Sequence, residues 1–325
     1  MPPSESAIAL RALPPWQMRA WASLARRAEL GSLPHALLLG GAVGLGKRAF
    51  AEAFVRARLC ELPRDGFACG ACRTCALLDA GTHPDRILVT LEVNEKTGKL
   101  RGEIVVEQIR ALSARLALAS QFGGWQIALI DPADAMNAAS ANALLKTLEE
   151  PTAASLILAV ADQPWRLPAT IRSRCQRIDF AAPTRADALA WLRTENVNEP
   201  EAALDAAGGN PGRALAFARG DQLRRRAAVA RELLALAAGR ASTQTIAHAW
   251  AADEPEARLE HAARLLAQAA ANKPGAHRDG FNPAWSMEVL QRGFERANRL
   301  REQLRGPLRA EPALVEFLAS LPRAS

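Results

Sequence analysis

Apolar positions in the first half of the chain come in two rhythms. Short, mainly apolar runs at Ala36 to Leu39, Ile87 to Leu91, Trp125 to Ile130 and Leu156 to Val160 read as buried strands. Between them, Arg19 to Leu30, Lys47 to Leu59, Val106 to Ser120 and Ser140 to Glu149 carry helical spacing. Strands that alternate with helices predict a parallel sheet covered on both faces. After Phe180 the strand signals stop, and Ala, Leu and Arg recur at helical spacing. Helices are expected at Ala186 to Thr194, Pro200 to Ala207, Arg224 to Ala238, Thr243 to Ala271, Trp285 to Leu304 and Pro312 to Leu321. A breaker cluster, Gly208-Gly209-Asn210-Pro211-Gly212, interrupts them.

The 325 residues suggest about two domains, and 49% hydrophobic with 23% charged residues excludes a mainly disordered chain. The net charge of +7 is compatible with nucleic acid without requiring it. Arg outnumbers Lys 36 to 5, a skew in keeping with codon composition, and Tyr is absent, which argues against an aromatic platform for single strands. No apolar run approaches a membrane span, and the N-terminal MPPSESAIALRALPPWQ lacks the pattern of a signal peptide. A cytoplasmic protein is the expectation.

Two motifs carry chemistry. Gly41-Ala42-Val43-Gly44-Leu45-Gly46-Lys47 follows a strand, opens a helix and matches the G-x-x-x-x-G-K phosphate loop. Its glycines let backbone N–H groups face phosphate oxygens, and Lys47 would reach the terminal phosphates. The next position, Arg48, stands where a Ser or Thr hydroxyl would ligate Mg²⁺. Asp131 ends a buried strand as a second, Mg²⁺-holding acid would, but Pro132 follows where an activating Glu belongs. Two catalytic positions are missing, so hydrolysis is not expected and ATP binding is in doubt. The second motif is Cys60, Cys69, Cys72 and Cys75, spaced C-x₈-C-x₂-C-x₂-C, which suits structural Zn²⁺. An iron–sulfur cluster or free thiols are the alternatives. His83 is read as a loop residue near the cluster, and His35, before the first strand, as structural.

Taken together, these features resemble the bacterial DNA polymerase III clamp-loader subunits. Ala143 to Pro151 is similar to that family's LLKTLEEP helix, and Ser173-Arg174-Cys175 to its SRC motif. The resemblance is strong over the N-terminal half and rests only on helical content in the rest. It implies an α/β RecA-like AAA+ domain at 1–181 with the zinc module at 60–75, a small helical lid at 182–222 and a helical oligomerisation collar at 223–325. Arg48 and Pro132 imply the delta-prime type rather than the gamma or tau ATPases. That would make the chain a subunit of a DNA-directed DNA polymerase holoenzyme, a nucleotidyltransferase. Its implied partners are the gamma/tau and delta subunits, the sliding clamp and primed DNA.

By the same resemblance Arg174 is an arginine finger acting in trans on a neighbour's ATP, since a guanidinium matches phosphate and stays charged. The alternative is a surface arginine, solvated or paired with Glu149 or Glu150. Cys175 reads as a packing residue. Gly41, Gly44, Gly46, Lys47, Asp131 and Arg213, the last at the start of the sensor-2 helix, would form a degenerate nucleotide site. Arg213 is equally compatible with a capping or packing role. A polar sensor is expected just after the strand ending near Val160, and the run Leu158 to Asp162 reads as apolar there, a third departure. Pro14-Pro15-Trp16-Gln17 corresponds to a segment near the adenine pocket, or to a strap over the core. Arg110 and Arg115 are candidates for DNA backbone contact, against an ordinary solvated helix face. Arg224-Arg225-Arg226 reads as a solvated face or collar contact. Two other functions stay open: a gamma-type ATPase with its own ATP site, and a stand-alone zinc-containing nucleic-acid-binding module. A nucleotide kinase is disfavoured by the LLKTLEEP and SRC runs.

Overall fold

The computed structural model describes residues 13–94, 98–271, 281–304, 306 and 308–322. The polar N-terminal run read above as lacking a signal peptide lies, up to residue 12, outside the described residues. The chain packs as two compact units, Met1–Asp187 and Ala188–Ser325.

The first unit holds α1 (Met18–Glu29), β1 (Ala36–Gly40), α2 (Lys47–Leu59), α3 (Arg73–Asp79), β2 (Arg86–Val89), α4 (Val106–Leu116), β3 (Gln126–Ile130), α5 (Ala138–Glu149), β4 (Ser155–Ala161), α6 (Ala169–Arg172) and β5 (Gln176–Asp179). All five strands are parallel, in the order β2-β3-β4-β1-β5. This is the parallel α/β sheet expected from the alternating pattern.

Period-two alternation explains how one strand serves two cores. In β1, Leu37 and Leu39 join Phe50 and Phe54 of α2 on one face, while Ala36 and Leu38 join Ile109 and Leu112 of α4 and Leu144 of α5 on the other. Leu37, Leu38 and Leu39 are fully buried, and burial of such a side chain stabilises the fold by about 1.5–3 kcal/mol. The strand order also places β1 between β4 and β5, so the loop leaving β1 opens at the C-terminal edge of the sheet.

Several elements differ from the sequence expectation. Gln176–Asp179 is a strand despite its polar sequence, because as one of the two edge strands it leaves side chains exposed and, among the described residues, pairs its backbone with β1 alone. The helix expected to run to Ser120 ends at Leu116. Beyond it the chain turns so that Ser120 Oγ, Gln121 N–H and Phe122 N–H all donate to the buried Asp85 carboxylate.

In the second unit, α7 (Arg185–Thr194, which begins in the first), α8 (Pro200–Ala206) and α9 (Pro211–Arg219) enclose a small core with Ala188, Leu192, Leu204 and Ala214. The breaker cluster does not end helical structure there. Asn210 accepts from the Arg213 N–H and Pro211 fills the first helical position, so the same residues start α9. A larger core, around Leu233, Trp250, Leu266 and Phe317, joins α10 (Gln222–Ala237), α11 (Thr243–Ala252), α12 (Pro255–Ala271), α13 (Met287–Gln303) and α14 (Ala310–Ala319). The single helix expected over Thr243 to Ala271 is two, because Pro255 cannot continue it and Glu254 adopts a φ of 43°.

The Arg224-Arg225-Arg226 run is not one solvated face. Arg224 pairs with Asp221 at the surface, Arg225 pairs with Asp253 and Glu254, and Arg226 is buried and donates to Gln268. Among the described residues no helix is long and apolar enough to cross a membrane.

Candidate functional site

Gly41 opens the β1–α2 loop at a φ of +146°, and a Cβ there would lie 2.4 Å from the Phe180 carbonyl oxygen. Gly46, at φ +78°, lies under the buried Gln17 amide; a Cβ would meet Gln17 Nε2 at 2.6 Å. Only glycine satisfies both the left-handed backbone and these approaches. Gln17 Nε2 donates to the Leu45 carbonyl at 2.7 Å, and the Trp16 ring N–H lies 3.5 Å from the same oxygen. The Pro14–Gln17 segment is thus a strap over the phosphate loop.

Lys47 begins α2 and is only 4% exposed. Its ammonium donates to the Gly41 carbonyl at 2.6 Å, the Ala42 carbonyl at 2.8 Å and Asp162 Oδ1 at 2.6 Å. Asp162 follows the end of β4, where the sequence reading found only apolar residues; the strand runs one residue further, to Ala161, and presents this carboxylate to the loop. Arg48 Nε lies 2.5 Å from Asp131 Oδ2. Burial pushes the Asp131 carboxyl above its ordinary range, against the opposing pull of Arg48. Pro132 supplies no base, as read from the sequence.

In front of the loop is a cavity of about 840 Å³ that Lys47, Arg48, Asp131 and Asp162 help to line. Further along its wall Arg56 pairs with Asp79 at 2.5 Å and Arg86 with Glu52 at 2.6 Å. Every one of these four cations faces a carboxylate of the same wall.

Arg213 belongs to the second unit and is described only there. It pairs with Glu260, and its guanidinium lies 5.6 Å from the centre of the Phe217 ring. Burial opposes the Glu260 charge, but Arg213, Arg264 and Arg301 around it hold the carboxyl below its usual range.

The four cysteines converge. Their sulfur atoms all lie within 4.8 Å of one another, with Cys60–Cys72 and Cys60–Cys75 at 3.8 Å and Cys69–Cys75 at 4.0 Å. Four sulfurs at about 2.3 Å from a tetrahedral ion lie about 3.8 Å apart, so the donor set fits a metal ion. Backbone N–H groups of Cys69, Ala71 and Cys72 point at sulfur, at 3.2 to 3.5 Å. Amides of Ala71 and Cys72 pull the Cys69 thiol down. Burial opposes ionisation of Cys72, yet bonds from Thr74 and nearby amides bring it to about 6. Burial pushes Cys75 up to about 12. Phe67 of this module stacks on Trp21 of α1, with ring centres 4.5 Å apart. His83 is not in the cluster. It is buried in the loop before β2, its Nδ1 accepting from the Asp85 N–H at 3.1 Å, and burial lowers its pKa.

Arg174 sits between α6 and β5, half-buried. Its Nη1 donates to the Thr170 carbonyl at 3.0 Å, and its Nη2 lies 2.7 Å from Glu149 Oε1 at the end of α5. The pairing with Glu149 joins the LLKTLEEP and SRC runs. Arg177 pairs with Asp179, also at the surface. Cys175 packs in the sheet core, where burial raises its thiol to about 11. Arg110 and Arg115 are exposed on α4, and Arg115 donates to the Pro84 carbonyl.

Residues 16–184 match the family model described as DNA polymerase III, delta subunit. The chain is 42% identical over 201 residues to a protein named DNA polymerase III subunit delta' from Pseudomonas aeruginosa, covering 61% of this chain and 58% of that protein. The match thus spans little more than half the length of that relative. It is 33% identical over 265 residues to the Escherichia coli K12 protein of the same name, covering 81% of this chain and 77% of that one. A third relative, named DNA polymerase III subunit tau from Escherichia coli K12, is 32% identical over 160 residues, covering 49% of this chain and 24% of that protein.

Proposed function

The chain belongs to the family of DNA polymerase III delta' subunits, and on that premise we propose that it is a clamp-loader component that hydrolyses no ATP itself and lends Arg174 to the nucleotide of a neighbouring subunit. The observation that carries this reading is the Arg48–Asp131 ion pair. A guanidinium cannot ligate Mg²⁺, and here it takes up the acid that would hold the ion. Pro132, at the next position, supplies no carboxylate to polarise an attacking water.

Arg174 is suited to the opposite role. Thr170 accepts from one of its five N–H groups and Glu149 pairs with its charge. They orient a planar fork at the surface that matches the geometry of a phosphoryl group. Across a subunit seam such a charge would stabilise the neighbour's transition state, in which negative charge spreads over the phosphoryl oxygens. The partners on this reading are the gamma/tau and delta subunits, with the sliding clamp and primed DNA as what the assembly acts on in the cytoplasm. Residues 182–222 would serve as the lid and 223–325 as the collar. Arg110 and Arg115 are exposed in the way that backbone-tracking arginines need to be. For the cysteine cluster zinc is the ion proposed, since four thiolates in a closed tetrahedral set with no open position suit a structural, redox-inert cation.

Replacing Arg174 by Ala in the reconstituted assembly tests the proposal. Assembly is expected to survive and ATP turnover at one site to fall by 10³-fold or more, on the order of other arginine fingers. Unchanged turnover at every site would remove Arg174 from the role. Robust DNA-stimulated turnover by the isolated chain would favour a gamma-type ATPase instead.

A further inference from the structure

An ammonium group has three N–H donors, and those of Lys47 already have three acceptors: the Gly41 and Ala42 carbonyls and the Asp162 carboxylate. Two of these are backbone of the loop itself. The third is a charged side chain that reaches across from the end of β4, 115 residues away in sequence. Any phosphate oxygen entering the loop has to compete with Asp162 for Lys47. On the other side of the same cavity Arg48 is drawn to Asp131, the acid that a hydrated cation would otherwise need.

From this geometry we propose that Asp162 stands in for a phosphate. The loop is a polyphosphate site held shut by the chain's own carboxylate, and with Asp162 neutralised it takes a nucleoside triphosphate without a divalent cation. The inference rests on reading the loop as a degenerate nucleotide site and adds to it the residue that decides occupancy. Removing the Asp162 charge returns an ammonium donor to the loop. Arg48 stays paired with Asp131 and keeps that acid from a cation, so the incoming phosphate charge is met by Lys47 and the loop amides. The cavity of about 840 Å³ in front of the loop has room for such a ligand. The selectivity follows from Arg48: its charge repels a divalent ion from Asp131, so the ligand is the free triphosphate.

The test is calorimetric titration of the full chain with ATP in EDTA and again with excess Mg²⁺. Asp162→Ala is expected to bind ATP in EDTA at least tenfold more tightly than the parent, with no further gain from Mg²⁺. Asp79→Ala, which removes a carboxylate from the same cavity wall but from Arg56 instead of Lys47, is expected to stay within twofold of the parent. Adding Lys47→Ala to Asp162→Ala should abolish the gain. No gain in Asp162→Ala, an equal gain in Asp79→Ala, or a gain seen only with Mg²⁺ would each overturn the proposal. Asp162→Asn repeats the test if the alanine variant does not fold. Failure of both to fold would make Asp162 a structural partner that a ligand cannot replace, which also overturns it. Binding by the isolated chain is independent of Arg174, so failure here leaves the trans-finger reading standing. Mg²⁺-dependent hydrolysis by the Asp162→Ala chain would instead sink the non-hydrolysing reading.

Discussion

The phosphate loop and the cysteine module lie in the same unit and treat charge in opposite ways. In the loop every cation lining the cavity meets a carboxylate supplied by the chain: Lys47 with Asp162, Arg48 with Asp131, Arg56 with Asp79, Arg86 with Glu52. In the module four sulfurs converge with no cation among them, and backbone amides favour the thiolate form of two. One site carries its own counter-charges, and the other offers four donors that could hold an ion. Sequence motifs suggest ligands for both, but the balance of internal charge differs between the two.

Metal removal gives the sharpest break of this contrast. Metal bound by such a set contributes on the order of 10 kcal/mol of binding free energy to folding. Cys75→Ser, checked by elemental analysis and thermal melting, is expected to lose one bound ion per chain and to melt well below the parent. Chelation of Mg²⁺ should not move the melting point of the parent at all. If the cysteine variant keeps its ion, the tetrahedral reading is wrong.

Next in size is the link between the two regions. Trp21 is almost fully buried, stacks on Phe67 and meets Phe50 and Phe54 edge-on at 5.5 and 5.7 Å. Trp21→Ala should cost about 3–5 kcal/mol in denaturant titration and make the bound metal easier to chelate. Unaltered chelation would show that the module is held by its ion alone.

His261, in the helical unit, extends the comparison to a group only half answered. Its Nε2 lies 2.9 Å from Gln222 Oε1, while its Nδ1 has no hydrogen-bond partner among the described residues. Burial, reinforced by Arg226, lowers its pKa to about 4. Between about pH 6.5 and 4 the unfolded chain therefore binds a proton that the folded chain does not. Stability is highest above this window and falls with acidification, by about 3 kcal/mol across it. His261→Gln should flatten that part of the stability–pH curve; an unchanged slope would mean the histidine is not its source.

The smallest effect is expected at Glu149. Its pair with Arg174 is largely exposed, so Glu149→Ala should change stability by about 1 kcal/mol or less. A larger loss in thermal melting would mark the pair as structural and weaken the case for an arginine held ready for a neighbour.

Much of the architecture was legible in the sequence. Mainly apolar runs located β1 to β4, and the glycines with Lys47 located the loop, because burial and left-handed backbone restrict residue type locally. The α2 boundaries agree with the reading to the residue. What was missed has a common cause. β5 is polar because an edge strand needs only backbone partners, and α9, which the resemblance alone placed near Arg213, begins inside a run of breakers because Asn210 and Pro211 serve as cap and first residue. The break before α12 turned on a single proline within otherwise unbroken helical spacing.

Sequence by itself determined the sheet with its loop, Arg48 and Pro132 at the two positions after the loop lysine and the strand acid, and the four sulfur donors, all of which are properties of residue type and spacing; the family came from the resemblance of its motifs. Only the tertiary structure decided where the charges end. Asp162 reached Lys47, Arg48 reached Asp131 and Glu149 reached Arg174 across 115, 83 and 25 positions of sequence. An ion pair depends on a few ångströms between side-chain ends, and that separation is set by how strands and helices pack, which no local pattern encodes.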